Sequence, residues 1–344
     1  MKPNRPLLIV TSCTRNYGWV TRAFLEGNTR WADYIVIVDQ MSTDATRPLI
    51  EEYNALHYQE EKAESQECIH RAEIVIVDDP DMTYKESTRA KMGFMKGREL
   101  AAGRDAIYFA LDIDEVMPAN WMQTEDGKKI LNSKPGDMFQ IEWANILPGM
   151  KEQRRYGWQY KVFHDNGMDW QESDRQMHTP LLPYSSWDEE DMHSVHDFPL
   201  LHFGICNPKW SKYKSVYYKF LDVRQHRSSN VISLHRGTIL PKEVVIVPQL
   251  INNEWLYEDV DMLGQVDAIS TPIFVQYIKE IIKEEGIEKF KSIDVWSEEL
   301  CRELEVKDPR TAGWKMLHRY LRCTQKHKRT KVIRGMDKIL KVFV

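Results

Sequence analysis

The chain has 344 residues, 42% of them hydrophobic, with 47 Lys+Arg against 52 Asp+Glu and a formal charge of −5. At roughly 100–200 residues per domain, that length predicts one large domain or two smaller ones. The 29% charged content and mean hydropathy of −0.54 exclude a disordered chain, and no stretch approaches the ~18 apolar residues of a membrane span.

The slightly acidic balance argues against a nucleic-acid binder. Five cysteines, without a C-x-x-C pair, predict neither a disulfide framework nor a zinc ribbon. The apolar run after Pro6 is too short for a signal-peptide core, so the chain reads as cytoplasmic.

Residues 7–10 form a short apolar run that stops at Thr11-Ser-Cys13-Thr-Arg15-Asn16, and residues 17–26 have helical spacing. A second run, 34–38, ends at Asp39 and a polar loop in which Ser42 or Thr43 can cap the next helix. A third, 74–77, ends at Asp78-Asp79-Pro80 and precedes a helical segment over about 84–102. The fourth, 106–111, ends in Asp112-Ile-Asp114-Glu115. Short, continuously apolar strands alternating with helical pattern predict β-α-β units and a parallel sheet. Ligands of such sheets bind beyond the carboxyl ends of the strands, so the four polar strand ends are expected to share one crevice. No G-x-G-x-x-G follows the first strand and no P-loop motif occurs.

Asp112-x-Asp114 is the central signal. On an extended segment two carboxylates at this spacing share a face, and in a turn just past a strand both can swing toward one divalent cation. That cation would neutralise a leaving diphosphate. The bland alternative is a solvated acidic loop before Pro118.

Three stretches together resemble the nucleotide-sugar glycosyltransferases of the GT-A fold, family 2 type. They are Val10-Thr-Ser-Cys-Thr-Arg15, the D-x-x-S-T-D-x-T turn of Asp39-Gln-Met-Ser42-Thr-Asp44-Ala-Thr46, and the D-x-D strand Ala106-Ile-Tyr-Phe-Ala-Leu-Asp112-Ile-Asp114. The resemblance implies an α/β fold with a mixed sheet flanked by helices over residues 1–240. Within it, 1–120 would be the nucleotide-binding half and 121–240 the acceptor half, with a mainly helical extension over 241–344.

It also implies roles. Thr11, Cys13 and Arg15 would belong to the nucleotide-binding loop. Asp39 would accept hydrogen bonds from the base or ribose, and Ser42 and Asp44 would shape the turn. Arg89 would face the nucleotide or diphosphate, Asp112 the ribose and metal, and Asp114 would bind the metal directly. The cofactor would be Mn2+ or Mg2+. The partners would be a nucleoside-diphosphate sugar donor and a glycan or lipid-linked acceptor in polysaccharide synthesis, with inversion at the transferred sugar.

The later chain is richer in His and Trp. Residues 139–143 alternate like an edge strand, and 158–163 precede an Asp165-Asn-Gly167 turn. Family relatives place an acid after a His at the position occupied here by Thr179, so the base stays open. His178 and Asp191, the latter in Trp187-Asp-Glu189-Glu190-Asp191, are the candidates. By resemblance His202 would complete the metal or diphosphate site; otherwise it is a core histidine. His193 and His196 with His202 give only a partial zinc spacing. Lys209, Lys212 and Lys214, interleaved with Trp210, Tyr213, Tyr217 and Tyr218, fit either a basic aromatic flap or an amphipathic helix. The 11 Trp either fill cores or form sugar platforms.

Residues 319–344 hold nine Lys/Arg and one acid, Asp337, while the remaining 318 carry 38 against 51. Val332, Ile333, Met336, Ile339, Leu340 and Phe343 recur at helical spacing, so this end either lies on an anionic membrane or packs on the domain. Two other functional classes fit parts of the sequence. Phe109-Ala-Leu-Asp112-Ile-Asp114-Glu-Val116 matches the D-x-D-x-[TV] motif of haloacid-dehalogenase-type phosphatases, in which Asp112 would be a nucleophile. A non-catalytic carbohydrate-binding or scaffold relative of the fold is the other.

Overall fold

The computed structural model describes residues 5–62, 72–83, 85–171, 179–183, 189–224, 231–237, 247–267, 272–328 and 330–342. The first half alternates as expected: β1 (Leu7–Thr14), α1 (Gly18–Asn28), β2 (Tyr34–Asp39), α2 (Thr46–Lys62), β3 (Glu73–Asp78), α3 (Glu86–Ala101) and β4 (Ala106–Ala110). Then come β5 (Glu115–Val116), α4 (Glu125–Leu131), β6 (Met138–Ile146), β7 (Glu152–His164) and β8 (Met192–His202). Further on lie α5 (Pro208–Arg224), α6 (Val231–Gly237), β9 (Gln249–Leu250), α7 (Phe274–Glu285), α8 (Glu298–Leu304), α9 (Ala312–Thr324) and α10 (Lys331–Leu340).

The strands form one mixed sheet in the order β3-β2-β1-β4-β7-β6-β8-β5, with β9 on β7. The four apolar runs are its parallel half; β7 joins β4 antiparallel. Their continuous hydrophobicity has a simple cause, because both faces are buried. Leu8 and Val10 pack on one face with Phe24, Ile37 and Phe109, while Ile9 faces Phe94 and Tyr108 of the other core. Helix α3 approaches the sheet closely: a Cβ at Gly97 would stand 2.6 Å from Tyr108 Cε1.

One expectation is corrected. The 139–143 segment is not an edge strand, because β6 is held between antiparallel β7 and parallel β8. One compact unit comprises Met1–Asn207 and Ile246–Ser270, the other Pro208–Val245 and Thr271–Val344. The helices α5 and α6 therefore belong with the C-terminal unit. Among the described residues no helix is long and apolar enough to cross a membrane.

Candidate active site

β1 lies between β2 and β4, so the winding of the sheet reverses at the β1/β4 boundary. A crevice opens at such a reversal, outside the carboxyl ends of the strands. Two acidic turns border it, and they are built differently.

The first follows β2. Asp39 is 1% exposed, and its Oδ1 accepts the Ser42 hydroxyl at 2.5 Å and the Ser42 N–H at 3.2 Å. Arg47 stands 3.6 Å from its other oxygen and also pairs with Asp78. Asp44 ties two helices together, accepting the Gly18 N–H at the start of α1 (2.9 Å) and the Thr46 N–H at the start of α2 (2.9 Å). It thereby caps both amino termini, including α1, which its own Tyr17 does not cap. Asn16, at φ 59°, zips the loop to β1 by accepting the Thr43 N–H at 2.7 Å.

The second turn follows β4. Glu115 donates its N–H to the Asp112 carbonyl (2.9 Å), and the Asp112 N–H donates to the Glu115 carboxylate (2.8 Å). Within this turn the two aspartates part company. Asp112, half exposed, pairs with Lys161 at 3.1 Å. Asp114, 2% exposed, is directed toward the end of β8. Glu115 there pairs with His202, and the Phe203 N–H donates to the Asp114 carbonyl at 2.8 Å. From the α1 side, buried Asn28 donates to the Glu115 carbonyl (3.1 Å) and accepts the Met117 N–H (3.2 Å), fixing the segment.

This register sets Asp114 Oδ2 3.9 Å from His202 Nε2, beyond hydrogen-bonding distance. Asn145 determines the tautomer of the ring. Its Nδ2 donates to the Arg154 and Tyr156 carbonyls, so its Oδ1 is what meets His202 Nδ1 at 2.7 Å. Nδ1 therefore carries a proton, and Nε2 is the ring nitrogen turned toward Asp114. Trp143 stacks on the ring at 4.6 Å. Gly204 leaves the space between open: a Cβ there would stand 2.6 Å from Nε2 and 3.3 Å from Asp114 Oδ2. An imidazole nitrogen and a carboxylate beside such a gap are a donor pair suited to a divalent ion. Among the described residues, no larger cluster of His, Cys, Asp and Glu is arranged to hold one.

Lys161 is the residue that the sequence reading missed. It is buried, 2.7 Å from the equally buried Glu115, which also accepts the Trp143 indole N–H at 2.7 Å. Burial raises the Glu115 carboxyl above the ordinary carboxylate range. Asp112 and Glu115 together raise Lys161, overcoming its desolvation, so it stays charged.

Four further candidates lie on β1, directly after it and on α3. Thr11 faces α3, with its Cβ 3.6 Å from where a Gly93 Cβ would lie. Burial pushes the Cys13 thiol up to about 12, partly opposed by Arg89, which removes it as a nucleophile near neutral pH. Arg15 follows β1 directly. Arg89 braces the strand ends: its guanidinium donates to Gln40 (2.9 Å) and lies 3.8 Å from Asp79.

Asp191 stands apart from Asp114 and His202. It precedes β8 at the end opposite His202, paired to Lys134 at 3.1 Å. Met138 and Asn145 of β6, the partners of Met192 and His202, are seven residues apart. At about 3.3 Å per residue that places the two ends of β8 roughly 20 Å apart. His193, near the same end, pairs with Asp137 rather than joining His202. His178 lies outside the described residues; Thr179, next to it, donates its N–H to Glu86 at the start of α3 (3.3 Å).

The lysine-aromatic segment is helix α5. Its Trp210, Tyr213 and Tyr217 are buried, and Lys212 and Lys209 pair with Glu299 and Glu303 of α8. That is a packed amphipathic helix rather than a flap. Trp31, Trp121, Trp210 and Trp296 are likewise core residues.

No protein-family profile matches the chain, and no curated protein is similar to it in sequence. Among solved structures it aligns with a mannosyltransferase from Pyrobaculum calidifontis in complex with GDP-Man and Mn2+. The alignment covers 98% of this chain and 84% of the other at 12% identity and a TM-score of 0.39, a likeness too slight to carry an inference.

Proposed function

We propose that the chain is a glycosyltransferase of the GT-A, family 2 type, moving a sugar from a nucleoside-diphosphate donor to an acceptor hydroxyl with inversion. The observation that carries this reading is the approach of Asp114 to His202 across the Gly204 gap, in the turn just past the carboxyl end of β4. A divalent ion, Mn2+ or Mg2+, held by that pair would neutralise charge on the departing diphosphate.

The chain's own groups supply the rest. The Asp39–Ser42 turn offers polar groups to the base and ribose. Asp112, half exposed and steadied by Lys161, is available to a ribose hydroxyl. Asn145 and Trp143 hold the His202 ring in one tautomer and one orientation. The acceptor hydroxyl must lose a proton as it attacks. With Asp191 at the far end of β8, His178 is retained for that task. The assay is release of nucleoside diphosphate from a panel of donor sugars with Mn2+. Turnover with one donor, abolished in Asp114→Ala, supports the reading; no release from any donor defeats it.

One contact favours a second reading. Phosphatases of the haloacid-dehalogenase type need a lysine beside the nucleophilic aspartate, and Lys161 stands 3.1 Å from Asp112. Against it, that lysine is shared with Glu115, and the D-x-D strand is the fourth strand rather than the first. Metal-dependent hydrolysis of an aryl phosphate, with trapping of a phosphate mimic on Asp112, would favour the phosphatase.

A further inference from the structure

Helix α10 is amphipathic in the reverse of the usual sense. A helix that packs on its own domain turns its apolar stripe inward and its charges outward. Here the charge is inside. Asp337 is 8% exposed and takes a two-pronged ion pair from Arg236 of α6 (2.8 and 3.0 Å) and the Tyr320 hydroxyl of α9 (2.9 Å). Leu340 joins the small apolar cluster on the same side. At 3.6 residues per turn, Val332, Met336, Ile339 and Val342 fall within an arc of about 120°, nearly opposite Asp337. They are 71%, 44%, 64% and 79% exposed. Rotating the helix to bury them would pull Asp337 off Arg236, so the ion pair holds the apolar stripe outward.

The charges beside the stripe select its occupant. By helical spacing Lys331 and Lys338 border it along one edge, with Arg334 and Lys341 behind them; all four are exposed. The only acid of residues 319–344 is the one turned inward, so it does not offset the nine Lys/Arg of that segment. An exposed apolar stripe bordered by lysines, whose long stems let the ammonium groups reach a charged interface, matches an anionic lipid bilayer. We propose that α10 is a surface anchor for an anionic membrane, with Val332, Met336, Ile339 and Val342 entering the headgroup–acyl boundary.

The test is flotation of the full chain with vesicles of neutral phosphatidylcholine or with about 30% phosphatidylglycerol added. Binding is expected to the anionic vesicles alone, falling at least about tenfold between roughly 50 and 500 mM salt. Val332→Glu with Ile339→Glu should reduce partitioning by at least about tenfold. Lys331→Ala with Lys338→Ala should reduce it by roughly tenfold or more, since each basic residue near the surface contributes about fivefold. The lysine pair touches only exposed side chains and keeps the test valid if the glutamate pair unfolds. No flotation, or equal flotation of the lysine variant, overturns the proposal. So does a dimer by light scattering that Ile339→Glu dissociates while no vesicle binding occurs. The readout needs neither donor nor metal, so its failure would leave the glycosyltransfer reading standing.

Discussion

The two acidic turns at the carboxyl ends of β2 and β4 look equally promising in sequence, yet the chain uses them differently. In the Asp39–Thr46 turn the carboxylates bind the chain's own donors: Asp39 holds Ser42, and Asp44 caps α1 and α2 together. In the Asp112–Glu115 turn, Glu115 and Lys161 hold the backbone and Asp112, while Asp114 meets His202 across a gap that a glycine keeps clear. An acid at a strand end is therefore an ambiguous signal. What distinguishes the two turns is which groups the neighbouring segments bring up to the carboxylate.

The comparison can be broken most severely at Asp114. Asp114→Ala should lower metal-dependent turnover of the donor sugar by at least about a hundredfold, with the denaturation midpoint little changed. Next is Lys161→Met, which leaves Glu115 buried beside Asp112 without its cation and should destabilise the first unit by about 3–5 kcal/mol. Lys161→Met/Glu115→Gln should recover much of that in chemical denaturation followed by Trp fluorescence. The pH dependence follows from the raised Glu115 carboxyl. A group whose folded pKa exceeds its unfolded value loses its stabilising contribution as pH rises, so stability should fall from the ordinary carboxylate range upward. Lys161→Met should extend that fall to higher pH, and the double variant should remove it.

A smaller effect is expected at Gly204. Gly204→Ala puts a methyl group in the gap and should weaken metal binding by about ten- to a hundredfold without loss of fold. Smallest for the site, but visible in stability, is Asp44→Ala. Removing the shared cap should cost about 1–2 kcal/mol while metal affinity stays at the wild-type value.

The parallel half of the sheet was legible because burial on both faces writes itself as uninterrupted apolar runs; three of the four runs end within a residue of their strands, while β1 continues past its run through the polar residues to Thr14. The antiparallel half was not, since its strands are long, bulged and mixed in polarity; β6 read as an edge although it is interior. Asp114 and His202 could be named separately, but only the Glu115–His202 register brings them together. Lys161 lies 49 residues from Asp112, and its one trace was a lysine directly before the apolar pair Val162-Phe163. The place of Asp191 was not legible either, because acid density in 189–191 says nothing about which end of a strand it occupies. Helix α5 was ambiguous for a related reason, as lysines among aromatics look alike whether they meet a phosphate or the glutamates of α8.

The central claim is that the β4 turn, and not the β2 turn, holds the divalent ion. Titration of Mn2+ into the chain with a nucleoside diphosphate, followed by the electron paramagnetic resonance signal of free Mn2+, measures this directly in wild type, Asp114→Asn and Asp44→Asn. Saturable binding is expected, weakened at least about a hundredfold by Asp114→Asn and unchanged in Asp44→Asn. Equal affinity in wild type and Asp114→Asn, or loss in Asp44→Asn alone, would contradict that claim.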